Sequence, residues 1–73
     1  MIKNEVMARE ISELMLDYGR RLNASVARVQ ESCSNDELGV YRKAVGRVMA
    51  EMLLEIMNPL YAEHPSLKPD GLK

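Results

Sequence analysis

Glu31-Ser32-Cys33-Ser34-Asn35-Asp36-Glu37-Leu38 is the stretch where the helical periodicity of this chain breaks and restarts. Ser34 followed by Glu37 has the spacing of a capping box, in which the Ser34 hydroxyl accepts from the third helical N–H and the Glu37 carboxylate reaches back. Asp36 and Glu37 also place negative charge at the positive end of the new helix. Cys33 and Leu38 occupy the two positions of a hydrophobic staple. A connection this short between two long helices makes them antiparallel neighbours.

Working back from the turn, Met7, Ile11, Leu14, Tyr18, Leu22, Ser25 and Val29 recur at spacings of three and four, widened by Met15 and Val26. At 100° per residue they fall within about 120° of a helix surface, which predicts a helix over about 5–31 facing its partner with this stripe. Working forward, Leu38, Tyr41, Val45, Val48, Met52 and Ile56, joined by Met49, predict a second helix over about 35–57. Asn58-Pro59 is expected to end or kink that helix, because the residue before a proline avoids the α region and the proline lacks an N–H. Pro59 at a first helical position allows a short turn over 59–63. The reading is therefore an all-α helical hairpin over residues 1–64, dimerising into a four-helix bundle, with an extended tail over 65–73.

The apolar surplus carries the dimer expectation. Between Val48 and Met57 only Glu51, Glu55 and the small Ala50 interrupt large apolar residues. Leu53, Leu54 and Met57 spread beyond what the first helix covers, and Val6 and Leu16 do the same on the first helix. These surpluses meet at the end of the hairpin away from the turn, and burying each such side chain contributes roughly 1.5–3 kcal/mol. Val6, Leu16, Val48, Met49, Met52, Leu53, Leu54, Ile56 and Met57 are the expected interface. Leu60, Tyr61 and Leu67 could cover part of the same surface. Ala8, Ser12 and Gly19 form a small-residue flank on the first helix, and Gly39, Gly46 and Ala50 one on the second, with Gly46 a candidate for a close helix crossing.

Charge is segregated along the hairpin. Arg20, Arg21, Arg28, Arg42, Lys43 and Arg47 outnumber Glu31, Asp36 and Glu37 over residues 18–48, whereas residues 1–17 and 49–64 are net acidic. Two hairpins packed head-to-tail set basic halves against acidic ones. The same six basic residues define the runner-up function, a nucleic-acid-binding regulator contacting phosphates through the turn half. The chain as a whole is net −1 with no Phe or Trp, and Tyr18 and Tyr41 are assigned to the core stripe, which disfavours base stacking.

Little points to chemistry. His64 is the sole histidine and Cys33 the sole cysteine, so neither a disulfide within the chain nor a four-ligand zinc site can form. No Glu-x-x-His pair, phosphate loop or nucleophile elbow occurs. No cofactor and no enzymatic activity are expected. The longest apolar runs fall far short of a membrane span, and the lack of a signal-like start with a free thiol favours the cytoplasm. The expected function is a non-enzymatic interaction module: a small homodimeric adaptor, regulator or chaperone-like subunit, with an accessory subunit docking on a larger protein as the other alternative.

Overall fold

The computed structural model describes residues 1–70 of the chain. It is all-helical over those residues. Helix α1 spans Glu5–Ser32, α2 spans Asn35–Met52, a π-helical turn covers Leu53–Met57, α3 spans Asn58–Glu63, and a 3-10 turn covers Pro65–Leu67. Asn4 stays extended and its side chain accepts from the Met7 N–H at 3.0 Å, which starts α1. The capping box forms at the turn: Glu37 N–H donates to Ser34 Oγ at 3.2 Å, and Ser34 N–H donates to Glu37 Oε1 at 3.0 Å. The Ser34 N–H, and then the Ser34 hydroxyl that donates to the same Glu37 Oε1 at 3.0 Å, hold the Glu37 carboxyl below its ordinary range. Leu38 is buried, but Cys33 is exposed, so the outer half of the expected staple stands in solvent.

The helices pack antiparallel, with α1 rotated away from the phase that its apolar stripe predicts. Its most buried side chains are Ala8 and Ser12, from the small-residue flank, while Met7, Leu14 and Tyr18 lie along an exposed edge. Small side chains let a neighbouring helix come close, and here they take the inner position. Gly19 belongs to the same line; a methyl built on it would stand 3.7 Å from the Met49 methyl carbon. The second small-residue flank does not behave this way. Gly39 and Gly46 face open space, so Gly46 marks no crossing within the chain.

Two serine–tyrosine hydrogen bonds tie the returning helices to α1. Ser25 Oγ donates to the Leu22 carbonyl at 2.6 Å, which leaves Tyr41 Oη as the donor to Ser25 at 2.6 Å. Ser12 Oγ lies 2.6 Å from Tyr61 Oη in a buried pair.

Pro59 stands in the first turn of α3, where a short turn over 59–63 is expected, but the helical path is not broken before it. Asn58 keeps helical dihedrals, and its N–H donates to Leu53 O, five residues back, so the chain is helical without interruption from Asn35 to Glu63. In a regular α-helix the Pro59 ring would strike the Glu55 carbonyl. The wider π-turn moves that carbonyl away and inserts one extra residue into the helical register. The insertion rotates everything after it by about 100°. That rotation brings Met57, Leu60 and Tyr61 onto the inner face, where all three are buried.

They form a core at the end of the hairpin remote from the turn, with Ala8 at its centre and Ile2, Ile11, Met15, Leu16, Leu53 and Leu67 packed around it. His64 Nε2 lies 2.6 Å from the Ile2 carbonyl, and the Met1 amino group pairs with Glu63, so the two chain ends are joined there. The tail expected to be extended from residue 65 opens instead with the 3-10 turn and contributes Leu67 to this core. Residues 71–73 of that expected tail lie outside the described residues.

The molecule is a rod, 44 × 19 × 16 Å, with a radius of gyration of 14.5 Å against about 11 Å for a compact domain of this length. Its accessible surface is 5518 Å², roughly 900 Å² more than a compact monomer of 8.3 kDa exposes.

Candidate interaction face

Part of that excess surface is apolar and lies along one side of the hairpin. The exposed edge of α1 carries Met7, Leu14 and Tyr18, which are 46%, 50% and 53% exposed; the facing edge of α2 carries Val48, 47% exposed, with the half-buried Met52 and Ile56 in line. Val48, Met52 and Ile56 sit four residues apart and therefore form a ridge that drifts slowly around the helix. A shallow groove runs on each side of it. One is shared with Met15 and Tyr18 of α1, and the other is bounded on its far side by Arg47, Glu51 and Glu55. Tyr18 also borders a depression with Arg21 and Leu22.

The expected interface residues divide into three groups. Val48, Met52 and Ile56 lie on this uncovered face. Leu16, Leu53 and Met57 instead pack inside the chain's own end core, and Met49 lies over Gly19. Val6 and Leu54 point outward, 68% and 60% exposed, apart from the ridge. The physical reason for this division is α3, which the π-turn directs over the end of the hairpin that two straight helices would leave open. Met7, Leu14 and Tyr18 were assigned to the interior by the stripe. The small-residue line Ala8, Ser12 and Gly19 was the signal that α1 would rotate and expose them.

The six basic residues, Arg20, Arg21, Arg28, Arg42, Lys43 and Arg47, are all exposed but do not converge. Arg42 and Lys43 diverge by about 100° around α2, as do Arg20 and Arg21 around α1. Arg20 and Arg21 both reach Asp17, at 3.4 Å and 4.0 Å. Among the described residues the other four make no ion pair.

Among the described residues no group of three or more His, Cys, Asp or Glu side chains comes together as a metal site would require. His64 is engaged with the Ile2 carbonyl at the chain ends. Among the described residues no helix is long and apolar enough to cross a membrane. No protein-family model, curated protein or solved structure matches this chain.

Proposed function

We propose that this protein is a non-enzymatic interaction module, a small homodimeric adaptor, regulator or chaperone-like subunit, that works through the Val48–Met52–Ile56 face. The observation that carries the reading is the row of Met7, Leu14, Tyr18 and Val48, about half exposed and continued by the less exposed Met52 and Ile56 beside two grooves, on a molecule whose own core is already closed by α3. Lone exposed apolar residues such as Val40 are ordinary; an aligned row across two helices is not.

Light scattering on a sizing column, over a concentration series, tests the reading. The expected mass is about twice 8.3 kDa, falling to the monomer value in Leu14→Asp and Val48→Asp with helical content retained, because both side chains lie outside the end core. A wild-type mass that stays at the monomer value at all concentrations overturns the homodimer and leaves the face to a different protein.

A further inference from the structure

The uncovered face carries its own orientation signal. Gly19 meets Met49 and Ser25 bonds Tyr41, so the two helices are in a fixed antiparallel register. In that register Arg47 of α2 stands level with Arg20 and Arg21 of α1, while Glu51 and Glu55 stand level with Asp17 and Glu13. The hairpin is thus basic on the turn side of Val48 and acidic beyond it, across both helices. Among the described residues Arg47 has no ion-pair partner, although it borders the same groove as Glu51 and Glu55.

Two copies can stack on this face in two ways. With the two-fold axis parallel to the helices, α2 lies over the partner's α1; Arg47 then faces the partner's Arg20 and Arg21, and the acidic ends face each other. With the axis across the helices, α2 lies over the partner's α2 in the opposite direction, and the Arg47 level meets the level of the partner's Glu51 and the partner's Glu55. Resting on the homodimer reading above, we propose that the second copy docks antiparallel, with the two-fold axis crossing α2 in the turn between Val48 and Met52. Val48 of each copy then packs on the partner's Met52. Arg47 stands level with the gap between the partner's Glu51 and the partner's Glu55, about 3 Å along the helix from each at 1.5 Å per residue. The apolar ridge supplies the attraction, and the charges choose the direction.

The exposed Cys33, alone in the interhelical turn, is a ready probe that needs no substitution. A nitroxide attached there lies about 25 Å from the proposed axis, 17 residues at ~1.5 Å each, so the antiparallel dimer separates two labels by about 50 Å. The parallel dimer places both turns at one end, within about 25 Å including the label arms. Pulsed dipolar spectroscopy on labelled protein is expected to show the long distance. A short distance overturns the orientation while preserving the dimer, whereas a monomeric mass without dipolar modulation overturns the dimer reading itself.

Charge reversal locates the axis. Arg47→Glu alone, and Glu51→Arg with Glu55→Arg, are each expected to weaken self-association about tenfold or more at low salt, with the loss shrinking as ionic strength rises. Mixing the two variants is expected to restore wild-type affinity in a mixed dimer. Tighter self-association of Arg47→Glu would instead mean that Arg47 faces the partner's arginines, which overturns the proposal.

Discussion

The Ser12 hydroxyl and the Tyr61 hydroxyl, 49 residues apart in the chain, share a buried hydrogen bond of 2.6 Å that fastens α3 to α1. No buried side-chain polar atom among the described residues lacks a partner, so this bond leaves neither hydroxyl stranded. Tyr61→Phe removes one side of it and leaves Ser12 unpaired in a site that is 4% exposed. The expected loss is about 1–2 kcal/mol in urea unfolding, and Ser12→Ala in the Tyr61→Phe background should recover part of it, because two apolar groups of similar shape replace the pair. An additive double variant would show that the two hydroxyls are not coupled.

Leu60 is the largest fully buried side chain and belongs to the same end core. Leu60→Ala should cost about 2–5 kcal/mol, a large share of the ~5–15 kcal/mol available to a small domain. A melting curve close to wild type would mean that α3 is not anchored there.

The π-turn makes a sharper prediction. Insertion of one alanine after Met57 turns Leu60 and Tyr61 back by ~100°, undoing the phase set by the π-turn, and takes both out of their places in the core. Each side chain contributes roughly 1.5–3 kcal/mol by its burial, so the insertion should cost several kcal/mol, far more than an added residue in a mere connector. Retained stability on insertion would show that the phase set by Leu53–Met57 is immaterial.

At the turn, Ser34→Ala removes the cap of α2 and should cost about 1 kcal/mol. The Glu37 carboxyl is held below its ordinary range by the Ser34 backbone N–H and then by the Ser34 hydroxyl. A depressed carboxylate stabilises the fold fully above its unfolded value, and that contribution disappears as pH falls through the folded value. Wild type should therefore lose a small acid-dependent increment that Glu37→Gln lacks. Parallel pH-stability curves for the two proteins would show that the charge of the Glu37 carboxylate contributes nothing.

Gly46 sits in the middle of α2 with open space where a methyl would go. Gly46→Ala should raise stability by about 0.5–1 kcal/mol through helix propensity alone. Weaker self-association in this variant would place Gly46 in an interface, contrary to the face assigned above.

The hairpin was legible because its signals are local. The Ser34-to-Glu37 spacing and the two runs at spacings of three and four each report on backbone within a few residues. What escaped was relative rotation. The apolar stripe of α1 spans more arc than one helix can cover, and only the packing of Ala8 and Ser12 beneath Leu60 and Tyr61 decides which edge is buried. Pro59 is expected to end or kink the helix because its clash is with an α-helical carbonyl, and one wider turn removes that clash. The candidate face was half legible. Val48, Met52 and Ile56 belong to the expected interface but also to the stripe expected to face the first helix, whereas the misplaced phase puts Tyr18 and Leu14 in the interior alone.

The closure of the end core has a kinetic side. Ser12 meets Tyr61 across 49 residues and Ile2 meets His64 across 62, while Ser25 meets Tyr41 across only 16. Loops of such different length close at different entropic cost, so the turn half can zip early and the end core waits for the whole chain. Unfolding retraces that order. Amide exchange should be fastest where the chain's two ends meet and slowest around Val45, with the closing helix opening as a unit before the hairpin melts.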